Sequence, residues 1–166
     1  MSQFSFLKKK LEDLFCPELK VQFYANAYKI GRSSCPMVRY HLTLHSEVIW
    51  DFPKHFEEIR KKSHHHSYFS GYQEISELIK DYVNTPVTEL LVKEYKDNWF
   101  RAGTKEPAIH LGLVELFLAC DRRLGKERLL TWAKQIIIPT VHEILKRRFN
   151  QWGTAECYEQ QNSKQP

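Results

Sequence analysis

No apolar run in this sequence approaches the roughly 20 residues that a membrane-spanning helix needs, and its start lacks the apolar stretch of a secretory signal. Cysteine is sparse: Cys16, Cys35, Cys120 and Cys157 are the only four, and no two stand in a CxxC spacing. That excludes a disulfide scaffold and a zinc or redox motif of the usual kind. The four are read as reduced thiols of a cytoplasmic protein, with a Cys16–Cys35 disulfide as the minor alternative. Glycine and proline, at six and seven residues, are too few for a collagenous or low-complexity chain. The glycine patterns of phosphate and dinucleotide loops are missing. Gly125-Lys126 has no partner glycine upstream for GxxxxGK, and neither GxGxxG nor GxSxG occurs. His142-Glu143 opens like a zinc-protease helix, but Lys146 stands where the second histidine must be.

What is present is material for a core. Apolar residues make up 42% of the 166 positions and aromatics 13%, enough to exclude wholesale disorder. The length suits one domain over residues 1–152, followed by a polar tail at 153–166 that is expected to be mobile. Phe4, Leu7, Leu11, Leu14 and Phe15 recur at helical spacing until Cys16-Pro17 ends the helix. The period then falls to two. Val21, Phe23, Ala25 and Ala27 alternate with polar or tyrosine positions, as do Val38, Tyr40, Leu42 and Leu44 with Arg39, His41, Thr43 and His45. With Val48-Ile49-Trp50, these segments predict a small antiparallel sheet.

The remainder reads as helical. Short helices are expected around Phe56 and Ile59 and around Leu90 and Leu91. A longer one carries Ile75, Leu78, Ile79 and Tyr82 and ends near Asn84 ahead of Pro86. The segment 108–124, opened by Pro107, is apolar on nearly every side and should be the buried centre. Gly125 is expected to reverse the chain in a left-handed conformation, with Asp121 pairing with Arg128 across the corner. Two further helices carry Leu129, Leu130 and Ala133, then Val141, Ile144, Leu145, Phe149 and Trp152. Strands first and helices after predict an α+β fold, a small N-terminal sheet and helix against a mainly helical C-terminal half.

Candidate chemistry is thin. His41 and His45, placed on one face of a strand, would lie roughly 13 Å apart, too far for one metal. His64-His65-His66 reads as a solvated loop, and His110 as a hydrogen-bonded core residue. Asp81, Glu94 and Lys96 have the order of a metal-dependent nuclease core, but Glu94 and Lys96 fall in a helical pattern that turns them apart. No cofactor and no metal are expected. Charge says more. Between positions 121 and 148, eight basic residues face three acidic ones, so this segment holds the chain's whole formal excess of +5. Arg122, Arg123, Lys126, Arg128, Arg147 and Arg148 are therefore the candidate binding residues, a basic patch for an acidic protein surface or a phosphate backbone. The plainer alternative is solvated helix faces and partners of helix ends.

Two segments look familiar: Leu11-Glu12-Asp13-Leu14-Phe15-Cys16-Pro17 with Leu19-Lys20, the Val21-x-Phe23 strand and Tyr28, and Asp121-Arg122-Arg123-Leu124-Gly125-Lys126-Glu127-Arg128-Leu129. They resemble a family of conserved bacterial proteins with no assigned activity. That family shares an N-terminal helix ending in Cys-Pro and a C-terminal Asp-Arg-Arg-x-Gly-Lys-x-Arg segment. The resemblance covers about a third of the chain. It implies a bacterial, cytoplasmic, single-domain protein and brings no catalytic residue with it. The leading expectation is a non-enzymatic binder of a macromolecule, foremost a protein, of an accessory or immunity-like kind. Nucleic-acid binding through 122–148 is the second reading, and a metal-dependent hydrolase or nuclease the third.

Overall fold

A computed structural model describes residues 3–28, 37–52, 72–92, 113–136, 138–151 and 153. Helix α1 (Gln3–Glu12) is followed by a short 3-10 turn (Pro17–Leu19) and three strands, β1 (Val21–Tyr28), β2 (Met37–Leu44) and β3 (Glu47–Phe52). Helices α2 (Tyr72–Asn84), α3 (Leu113–Cys120), α4 (Lys126–Ala133) and α5 (Pro139–Gln151) complete the described elements. The architecture is α+β, as the order of periodicities predicts.

The sheet is antiparallel in the order β1-β2-β3. Phe23 pairs with Leu42, and Leu42 with Trp50, so the apolar alternation falls on one face. Phe23, Tyr40, Leu42 and Leu44 are buried there. Helix α3 lies in the core because it has no polar stripe: Leu113, Val114 and every residue from 116 to 120 are buried. Phe117 is the hub of an aromatic cluster. Its ring centroid lies 5.8 Å from Phe15, 5.8 Å from Phe23 and 5.4 Å from Tyr82. The Phe23 and Tyr82 contacts are edge-on, an arrangement worth about 0.5–1.5 kcal/mol per pair beyond burial. Helix α1 packs on α2, and α3 on α5. Leu78, Ile79 and Tyr82 of α2 and Val141, Ile144, Leu145 and Phe149 of α5 are buried, as their spacing predicts.

Three local expectations are corrected. The buried helix does not run on to Leu124. It stops at Cys120, because the backbone of Asp121 joins Phe15 in an isolated antiparallel bridge. Gly125 does not take a left-handed turn: with φ −76° and ψ 166° it is the extended N-cap of α4, and its carbonyl accepts the Leu129 N–H at 3.1 Å. A Cβ there would meet nothing within 4 Å. Leu90 and Leu91 lie in turns and not in a helix. The segments around Phe56 and Ile59, the His64–His66 run, Glu94, Lys96, Pro107, His110, Trp152, Cys35 and Cys157 lie outside the described residues, as does the tail apart from Gly153.

Candidate functional site

The two segments that carry the resemblance meet. Phe15 faces Asp121 across the bridge; the Cys16 N–H donates to the Cys120 carbonyl and the Arg122 N–H to the Leu14 carbonyl, both at 2.8 Å. This pairing turns the chain out of α3 and presents Asp121, Arg122 and Arg123 to three different environments.

Asp121 is fully buried. Its carboxylate accepts the Tyr82 hydroxyl at 2.9 Å, the Arg123 backbone N–H at 2.9 Å and the Arg123 guanidinium at 2.7 Å. Arg123 and not Arg128 is therefore its ion partner, because the short turn folds the guanidinium back over the carboxylate. Burial opposes the charge on Arg123, but the hydrogen bond and charge of Asp121 outweigh it and raise its pKa. Arg123 also donates to the Thr85 carbonyl at 3.3 Å, tying the corner to the end of α2.

Arg148 is 1% exposed. One guanidinium nitrogen donates to the Ala119 carbonyl at 2.8 Å and the Asp121 carbonyl at 3.1 Å, the other to the Leu124 carbonyl at 3.0 Å. These oxygens include those left unpaired where α3 stops, and a cation there also meets the negative end of the helix. Arg148 thus closes the corner from beneath and cannot belong to a surface patch. Arg147 is ion-paired with Glu143 at 3.1 Å along α5. Lys126 is half-buried and Arg128 exposed on α4. The six candidate residues do not form one basic face.

Arg122 differs from the rest. Its backbone is fixed by Leu14, its side chain is exposed, and among the described residues its guanidinium makes no hydrogen bond or ion pair. It borders an open cleft of about 700 Å³ whose walls are Glu12 and Asp13 from the end of α1, the Cys16-Pro17 step, Lys20, and His45-Ser46 at the tip of the β2–β3 hairpin. Lys20, His45 and Ser46 are the only non-glycine residues with positive φ among those described, at 48°, 50° and 69°. All three line this cleft. Lys20 ends the 3-10 turn; His45 and Ser46 form a two-residue hairpin loop between Leu44 and Glu47, the geometry that usually selects Asn-Gly. His45 therefore leaves the strand face on which it was expected to accompany His41.

Within the cleft, Glu12 is engaged: it accepts the Phe23 N–H at 2.9 Å, which caps an otherwise open position on edge strand β1, and pairs with Lys8 at 3.1 Å. Asp13, Lys20, His45 and Arg122 remain as polar groups at the rim. Cys16 also lines the cleft, and it is buried. Burial raises its pKa against the opposing charge of Arg148, so it is held as a neutral thiol, a weak nucleophile near neutrality.

The model of the SF0329 protein family matches residues 3–149. The chain belongs to that family. The match spans both segments of the corner and every wall of the cleft. No curated protein and no solved structure matches the chain.

Elsewhere, His41 stacks on Tyr24 with ring centroids 4.7 Å apart, beside an Arg39–Asp51 ion pair of 2.7 Å. Burial, with Arg39 adding to it, lowers the His41 pKa and favours the neutral ring. Among the described residues no three His, Cys, Asp or Glu side chains converge on a metal position. Asp81 is half-buried on α2, and its proposed partners Glu94 and Lys96 lie outside the described residues. Among the described residues no helix is long and apolar enough to cross a membrane.

Proposed function

We propose that this SF0329 chain is a non-enzymatic bacterial cytoplasmic protein that binds another protein at the cleft between the Leu11–Lys20 segment and Arg122. One observation carries this reading. Of the three charged residues that open the Asp-Arg-Arg segment, Asp121 and Arg123 neutralise each other inside the fold, whereas Arg122 is held by its backbone and offers its guanidinium outward. A fixed backbone with an unengaged arginine is suited to recognition, because arginine supplies several donors in a rigid fork and is favoured at protein interfaces. Asp13 and Lys20 add one charge of each sign at the rim, a mixture that suits a polar protein surface better than a uniformly anionic backbone. Burial holds the Cys16 thiol neutral, so it is no activated nucleophile, which favours binding over catalysis.

The nucleic-acid reading loses support from the same geometry. Arg148 points inward, and Arg123 and Arg147 are neutralised by Asp121 and Glu143. A photo-crosslinking residue placed at Lys20 in native cells tests the proposal, with the exposed position Glu77 on α2 as control. A discrete protein adduct at Lys20 and none at Glu77 is expected. Adducts to nucleic acid, or equal labelling at both positions, would overturn it.

A further inference from the structure

Strand β1 lies at an edge of the sheet, and the ladder fixes which of its amides face outward. The Phe23 N–H donates to the Glu12 carboxylate at 2.9 Å, so it points away from β2. The register is unbroken from Val21 opposite Leu44 to Tyr28 opposite Met37, and in an antiparallel pair the outward amides recur at every second residue. The Val21 N–H therefore faces the same edge as that of Phe23, and among the described residues it has no acceptor. Val21 lines the cleft. The residues that follow the ladder's last pair, Lys20 on one strand and His45 on the other, line it too, and both are left-handed. The charges on these walls are uneven. Glu12 is already engaged by Lys8 and Phe23, which leaves the exposed Asp13 as the open carboxylate. Against it stand two exposed cations, Lys20 and Arg122, which form no ion pair among the described residues.

Given the reading of the cleft as a protein-binding site, on which this rests, we propose that the open Val21 amide is the seat for an acidic side chain of the protein partner. The fold already shows the contact once: a side-chain carboxylate, that of Glu12, takes the next outward amide along the same edge. A glutamate or aspartate of the partner would do the same at Val21, with its charge met by Arg122 and Lys20 on the same walls. An amide that donates to a carboxylate makes a stronger bond than one that donates to a neutral oxygen, so an acidic side chain is preferred to an amide one. The surplus of one positive charge among the open groups complements an acidic segment of the partner, and Asp13 at the rim limits how many carboxylates can enter.

The test titrates the full, isotope-labelled chain with an end-blocked hexaglutamate peptide at constant ionic strength and follows the backbone amides by NMR. End-blocked hexaglutamine and hexaglutamine with a free C-terminal carboxylate are the comparison probes. The expected result is a saturable downfield shift of the Val21 amide proton with hexaglutamate alone, and a smaller one at Phe23, whose amide is already bonded to Glu12. Arg122→Gln should weaken hexaglutamate binding by about fivefold or more, and Arg128→Gln by less than about twofold. An unmoved Val21 amide would overturn the proposal, as would an equal response to either hexaglutamine peptide or equal losses in the two variants. An unmoved Val21 amide beside a protein adduct at Lys20 in cells would remove the acidic anchor and leave protein binding at the cleft standing, whereas the absence of that adduct would remove the protein-binding reading itself.

Discussion

The guanidinium of Arg148 donates to the carbonyl of Ala119 at 2.8 Å, joining the last turn of α5 to the last turn of α3 inside the core. This cation satisfies carbonyl groups that the early end of α3 leaves open. Truncating it removes the guanidinium donors to the Ala119 and Leu124 carbonyls, while the Asp121 carbonyl keeps the Leu124 N–H at 3.1 Å. Arg148→Met should cost about 3–5 kcal/mol, and Arg148→Lys should recover little, since one ammonium cannot span three carbonyls in the guanidinium's fork. Urea unfolding measures both. A cost under about 1 kcal/mol would mean that water replaces the side chain there.

Cys120 makes stability fall in alkali. Its folded pKa is raised from an ordinary 9.0 by burial, so the folded chain retains a proton that the unfolded chain releases. The stabilisation is complete below the unfolded value and is lost as pH rises above it, by up to about 1.4 kcal/mol per pH unit. Denaturant midpoints recorded from neutrality to about pH 10.5 in reductant should show this slope, and Cys120→Ala should flatten it. An unchanged slope in the variant would assign the effect to other groups.

The hairpin tip stores strain. His45 and Ser46 hold φ of 50° and 69°, where a side chain costs roughly 1 kcal/mol or more and Asn-Gly costs least. The double substitution His45→Asn with Ser46→Gly should stabilise the fold by about 1–2 kcal/mol, read as a higher denaturant midpoint with the same slope. A loss of stability would show that the two side chains make contacts worth more than the strain.

The sheet and the helical faces were legible because burial imposes a period. Phe23, Tyr40, Leu42 and Leu44 recur every second residue, and Val141, Ile144, Leu145 and Phe149 trace one helical stripe. The corner was not legible from local pattern. Glycine after an apolar run suggests a left-handed stop, but where α3 ends is decided by Phe15, far away in sequence, pairing with Asp121. Arg148 resembled its neighbours Lys146 and Arg147 as surface charge. A signal was present all the same: position 148 follows Ile144 by four and Leu145 by three, which puts it on the buried stripe. A lone charge on such a stripe marks an internal hydrogen-bonding group. Arg122 and Arg123 could not be told apart in sequence, since only the fold sends one to Asp121 and the other to the cleft.

The central claim is that Arg122 recognises a protein partner while its basic neighbours serve the fold or the solvent. Titration calorimetry of the partner captured at Lys20, against the parent chain and the Arg122→Glu and Arg128→Glu variants, tests it most directly. Both variants should keep the parent's unfolding midpoint, because surface substitutions of this kind change stability by about 0.5 kcal/mol or less. Arg122→Glu should weaken binding by about 30-fold or more, as expected when a central arginine is reversed, and Arg128→Glu by less than about threefold. Equal, small losses in both variants, or a larger loss in Arg128→Glu, would contradict the account.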